Sequence, residues 1–143
     1  MTKEQEIFVG EQIKLLATAV CSIPKYKWNN IVFTVAHRKD ADKSHFTDIL
    51  YFREYEDDDY ISAYSDEGRA LINMRNLRKI AEAYQKLYNV CEKFNSRWVQ
   101  YTICIDNKGH FESFFHYPQQ FNDSDPFDRS NMERWEMQFL YNE

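Results

Sequence analysis

An α+β fold, with a mainly antiparallel sheet of about five strands packed by helices in the order α-β-β-β-α-β-β-α, is what this sequence predicts. Apolar residues recur at three-and-four spacing from Leu71 to Phe94, the period of an amphipathic helix. Runs of β-branched and aromatic residues come as neighbours separated by short polar turns, which suits hairpins rather than long parallel crossovers. With 3 Gly and 3 Pro in 143 residues, little of the chain is committed to irregular connection, and the length suits one domain over 1–143.

The first helix spans about Lys3 to Cys21, with Thr2 as N-cap, Ile7, Phe8, Leu15, Leu16, Ala19 and Val20 near one face, and Pro24 closing it. Ile31 to Ala36 reads as the first strand, followed by a polar turn from His37 to Ser44. Ile49-Leu50-Tyr51-Phe52 and Tyr60 to Tyr64 give the second and third strands, with an acidic run as their connection. Ser65-Asp66-Glu67-Gly68 supplies helix-entry chemistry for a long helix from about Asp66 to Asn95. Its apolar stripe is Leu71, Met74, Leu77, Ala81, Tyr84, Tyr88, Cys91 and Phe94. Trp98 to Ile105 and Phe111 to Tyr117 form a hairpin about Asp106-Asn107-Lys108-Gly109. A terminal helix starts near Ser130 and buries Met132, Trp135, Phe139 and Leu140.

A formal charge of −5 argues against broad nucleic-acid binding, which draws on an excess of Lys and Arg, and favours a basic partner. Cys21, Cys91 and Cys104 are odd in number, lie in apolar contexts and form no CxxC pair, so they read as buried thiols in a reducing compartment. No signal peptide and no apolar stretch of bilayer length is visible, and a cytoplasmic location is expected.

The run Glu54-Tyr55-Glu56-Asp57-Asp58-Asp59-Tyr60 concentrates five carboxylates in six positions, flanked by two tyrosines. Ordering like charges so close is unfavourable unless solvation or a cationic partner compensates, and amphipathic rings favour interfaces. We therefore read these residues as a partner-binding surface, extended by Asp123 and Asp125. Catalysis by Asp48, Glu54 and Glu56 as a metal-dependent hydrolase or nuclease is the alternative. It lacks a companion base or lysine in sequence. Arg69, Arg75, Arg78, Lys79, Lys86 and Lys93 on the long helix could instead make a nucleic-acid-binding regulator, although charges opposite an apolar stripe are the ordinary solvent face of a helix. His37, His45, His110 and His116 show no metal-ligand spacing, although His110 and His116 share one face of their hairpin. No catalytic residue, metal or cofactor is expected.

The C-terminal third resembles the YezG-like immunity family, small antitoxins that accompany polymorphic bacterial toxins. The residues carrying the resemblance are Trp98 opening a strand, Lys108-Gly109-His110-Phe111 at a tight turn, and the aromatic strand ending at Tyr117. Asp125-Pro126-Phe127-Asp128-Arg129 and Arg134-Trp135-Glu136 complete it. The resemblance implies a non-enzymatic protein that binds a cognate toxin, often a nuclease. Spacing from Arg129 to Trp135 is longer than the family pattern, and the N-terminal half offers few matching residues.

Overall fold

The computed structural model describes residues 1–118 and 125–140. Helix α1 (Lys3–Cys21) begins at a capping box: the Thr2 hydroxyl accepts the Gln5 N–H, and the Gln5 side chain accepts the Thr2 N–H. Strands β1 (Asn30–Asp40), β2 (Lys43–Arg53) and β3 (Ile61–Ser62) follow, then a single turn of helix, α2 (Asp66–Arg69), and a 3-10 turn over Met74–Asn76. Helix α3 (Leu77–Lys93), strands β4 (Gln100–Asp106) and β5 (Phe111–His116), and helix α4 (Arg129–Leu140) complete the described residues. The sheet order is β3-β2-β1-β4-β5 and every pairing is antiparallel, as the spacing predicts.

Residue alternation along β1 divides the molecule into two layers. Ile31, Phe33 and Val35, with Leu50, Phe52, Tyr101, Ile103 and Ile105 beside them, face α1 and α3 and make the main core. Tyr84 and Tyr88 belong to this core, and Trp98 is completely covered beneath it. Burying each such side chain contributes about 1.5–3 kcal/mol, so this layer carries most of the stability. On the other side Ala36 and Ile49 meet Met132 of α4, with Tyr51 and Phe127 packed at the edge.

Three expectations are corrected. The stripe of α1 that is buried is Val9, Gln12, Leu16, Ala17 and Val20, and Ile7, Phe8 and Leu15 point outward. Apolar residues ring much of this helix, and the register that meets α3 includes a polar Gln12, which composition alone does not favour. The β1–β2 hairpin runs on through the polar segment 37–44 to a two-residue turn, where Ala41 takes φ 54°. His37 permits this by stacking on Tyr88, ring centroids 3.6 Å apart, and donating or accepting with the Ser44 hydroxyl at 3.0 Å.

The long helix is also interrupted between Arg69 and Leu77. Gly68 sits so tightly on β3 that a Cβ there would lie 1.8 Å from the Ser62 carbonyl oxygen. Beyond it the chain extends to bridge Pro24 through Ile72: the Lys25 N–H donates to the Leu71 carbonyl, and the Asn73 N–H to the Ile23 carbonyl. Those bonds, with Asn73 and Asn76 side-chain amides on the Ser22 carbonyl, satisfy backbone that a continuous helix would have left to solvent.

Candidate functional site

Residues 54–60 form the β2–β3 connection, and Glu54, Tyr55, Glu56, Asp57, Asp58 and Asp59 are all exposed. The loop is nevertheless built. Asp58 accepts the Tyr55 N–H at 3.0 Å through its carboxylate and donates its own N–H to the Tyr55 carbonyl at 3.0 Å, a reciprocal turn that fixes the run. Tyr55, 53% exposed, lies under Lys27, whose Nζ is 5.4 Å from the ring centroid. The guanidinium of Arg53 lies 4.6 Å from the centroid of Tyr60. Local cations thus hold both rings by cation–π attraction and leave the carboxylates facing water.

The loop closes one side of a cleft of about 740 Å³ against the segment joining α1 to β1. Glu54, Asp58, Asp59 and Glu67 supply its carboxylates, and Lys27 is the cation that lines it among the described residues. Tyr60 also borders a second cleft, of about 760 Å³, on the α4 side of the sheet. The two hollows therefore adjoin at one aromatic ring.

The second cleft arises because α4 covers the sheet only in part. Its aromatic end contains Phe114 against Phe139, centroids 4.9 Å apart, and His116 edge-on to Trp135, centroids 4.7 Å apart. The Trp135 indole N–H donates to His116 Nε2 at 2.9 Å, so that nitrogen is unprotonated. Desolvation agrees, lowering the His116 pKa to about 4. At the opposite end the β4–β5 turn places Asp106, His110 and Glu112 on the rim. Asp106 accepts the backbone N–H groups of Lys108 and His110 at 2.9 and 3.0 Å and faces His110 Nδ1 at 3.2 Å. Desolvation pulls its carboxyl upward, but these bonds outweigh it and hold the group below the usual carboxylate range.

Sequence reasoning placed His110 and His116 on one face but did not find this cleft. The available signal was the even-numbered set Cys104, Asp106, His110, Glu112, Phe114 and His116, a polar and aromatic face on paired strands that a short helix could not cover. Behind the cleft, Glu136 is fully buried. Thr34 donates its hydroxyl to Glu136 Oε1 at 3.3 Å and shares a 2.8 Å hydrogen bond with Thr102, while Oε2 has no partner among the described residues. Burial raises the Glu136 pKa well above its ordinary value, with Glu133 and Asp48 adding to the effect. Burial between α4 and the sheet thus favours the neutral form of this carboxyl.

The carboxylates of the hydrolase alternative do not converge. Asp48 points toward the α1–α3 layer, where Tyr64 donates its hydroxyl to it and Tyr84 is a second partner; burial raises its pKa against those bonds. Glu54 and Glu56 stand in the exposed loop instead. Cys104 borders the α4-side cleft, but desolvation pushes its thiol up to about 12, and Cys91 is pushed up to about 11, so neither is a ready thiolate. Among the described residues no group of three or more His, Cys, Asp or Glu side chains could hold a metal ion.

The predicted basic face is divided among α2, the 3-10 turn and α3. Arg69, Arg75, Arg78, Lys79, Lys86 and Lys93 are all exposed, without sharing one helix. Asp125 does not adjoin the acidic loop: it accepts the Phe127 N–H at 3.0 Å in the turn ahead of α4, whose first-turn Asn131 N–H is accepted by Asp128 at 3.2 Å. Pro126 beside it accepts the Gln100 side-chain amide, at the far end of β1 and β4 from Asn30 and Asp106. Asp123 lies outside the described residues. No helix among those residues is long and apolar enough to cross a membrane. No protein-family model matches the chain, and no curated protein matches it significantly.

Proposed function

We propose that this chain is an immunity protein of the bacterial cytoplasm that binds and neutralises a cognate toxin domain acting on nucleic acid, by protein–protein contact and without catalysis of its own. The observation that carries the reading is the pair of adjoining clefts. Carboxylates from the acidic loop, α2 and the β4–β5 turn surround aromatic surface on both sides of Tyr60.

Such a face complements a basic protein. Enzymes that act on nucleic acid present Lys and Arg to phosphate, and a carboxylate-rich surface competes for that same positive field and accelerates encounter. Rings already fixed by Lys27 and Arg53 lose little rotamer freedom on binding, which favours affinity through preorganisation. The dispersal of Asp48, Glu54 and Glu56 and the protonated thiols support a binding role over hydrolysis. In the YezG-like resemblance, the Lys108-Gly109-His110-Phe111 turn and Trp135 are carriers, and His110, Phe111 and Trp135 among them line the α4-side cleft.

The test is co-expression in a bacterial host with the toxic C-terminal domain encoded beside this gene. Restored growth, with a stable complex on gel filtration, is the expected result. Continued killing at equal expression, or the lack of a toxin gene among the immediate neighbours, would refute the reading.

A further inference from the structure

We propose that the α4-side cleft seats an arginine-bearing loop of the protein partner, with the guanidinium between Asp106 and Glu112 and the rest of the loop lying along the aromatic wall of α4. The occupant's class, a protein, rests on the reading above; its chemistry rests on the cleft itself.

Charge complementarity selects the occupant. Among the described residues no Lys or Arg lines the cleft, and two carboxylates stand on its rim. His116 gives no opposing charge, because its Nε2 is occupied as an acceptor of the Trp135 N–H. Asp106 is fixed before any ligand arrives, one carboxylate oxygen by two backbone N–H bonds and the other by His110 Nδ1 at 3.2 Å, a contact an incoming guanidinium shares or displaces, so it offers a positioned anion rather than a mobile one. Glu112, the Cα partner of Cys104 one strand over, projects from the same face and is exposed, which lets it close on an incoming cation.

The shape selects further. A volume of about 760 Å³ exceeds what one side chain needs and falls within the range of pockets that hold an extended organic ligand. Trp135, Phe139 and Phe114 give one end an aromatic lining, and Phe111 remains 38% exposed at the other. A flat, delocalised, weakly hydrated cation satisfies both features: it pairs with carboxylates in a fork and packs on ring faces, whereas an ammonium is a compact, strongly hydrated charge. Glu56 and Asp57 of the acidic loop line neither cleft, and they steer where this cleft grips.

The experiment uses the intact chain, a blocked tri-arginine peptide and two-dimensional nitrogen–proton NMR in about 0.15 M salt, where long-range attraction is screened. Saturable shifts of the Trp135 indole and of amides 110–114 are expected. Tri-lysine should bind several-fold more weakly, and the uncharged tri-citrulline should give no shifts. Glu112→Lys and Gln138→Lys, on opposite walls and both exposed, should each weaken the peptide by about tenfold or more with the rest of the spectrum retained. Asp57→Lys/Asp59→Lys should leave those cleft shifts in place. Shifts confined to 54–59, equal response to tri-citrulline, or indifference to both wall variants would overturn the proposal. The titration contains no toxin, so its failure leaves the immunity reading standing, and failure of toxin rescue leaves a positive titration standing.

Discussion

Replacing Glu136 by Gln should stabilise the protein at neutral pH and flatten its pH dependence. The side chain is 0% exposed and its one hydrogen bond among the described residues is the hydroxyl of Thr34 at 3.3 Å. Its folded pKa is raised above the ordinary carboxyl value of 4.5, so between those two values the folded state keeps a proton that the unfolded chain releases. Stability is then fully present below about pH 4.5 and is lost as pH rises toward the folded pKa, with a slope of at most about 1.4 kcal/mol per pH unit for one proton. His37 and His116 act in the opposite sense. Desolvation lowers each to about 4, so their contribution is complete above the ordinary value of 6.5 and falls away as pH drops toward 4.

Urea unfolding between pH 6.5 and 8 therefore isolates the carboxyls from the imidazoles. Over that window the wild type should lose stability through Glu136 as pH rises, at no more than the one-proton slope, and Glu136→Gln should lose visibly less, because its amide oxygen still accepts from Thr34 and nothing remains to ionise. Asp48, also raised by burial, contributes a residual slope of the same sign in both proteins. Parallel stability curves for the two proteins would refute the reasoning, since they would mean that Glu136 is solvated or already charged in the folded state.

Gly68→Ala should destabilise by about 2–3 kcal/mol in urea denaturation, because the added methyl meets the rigid Ser62 carbonyl rather than a side chain that can move. Reversing Glu54, Glu56, Asp57 and Asp59 to Lys should slow association with a basic toxin by about tenfold or more at low salt and much less at high salt in stopped-flow mixing; Asp58 is left intact because it caps the loop. Tyr60→Ala should instead raise the dissociation rate, with a loss of about 2 kcal/mol if the ring between the clefts is an anchor, read by surface plasmon resonance. His116→Phe should blunt acid unfolding between pH 6.5 and 4, followed by circular dichroism, by removing one imidazole that must be protonated on unfolding.

The layers and the pairings were legible in the sequence because they depend on alternation and on turn chemistry. Asp106-Asn107-Lys108-Gly109 specifies its hairpin locally, with Gly109 at φ 86° where a side chain would be strained. Long-range packing hid the rest. The outer half of the β1–β2 hairpin is polar in composition, and its strand form draws on His37, which stacks on Tyr88 of α3 and lies against its cross-strand partner Phe46. The break after Gly68 answers a bridge to Pro24 that no local propensity announces. Glu136 offered no clue either: a carboxylate beside Trp135 on a short helix reads as surface, and only the seating of α4 on the sheet over Thr34 buries it. The acidic loop was visible by charge, yet its restraint by Asp58, Lys27 and Arg53, and its contact with a second cleft through Tyr60, required the folded chain.

Binding of this chain to the purified toxin domain encoded beside it, measured by isothermal titration calorimetry alongside residual toxin activity on nucleic acid, tests the central claim most directly. A one-to-one complex of nanomolar affinity that silences the toxin, and weakens on charge reversal at Glu54, Glu56, Asp57 and Asp59 or on Glu112→Lys, is the predicted result. Full toxin activity in the presence of excess folded protein, with no heat of binding at two temperatures, would contradict it.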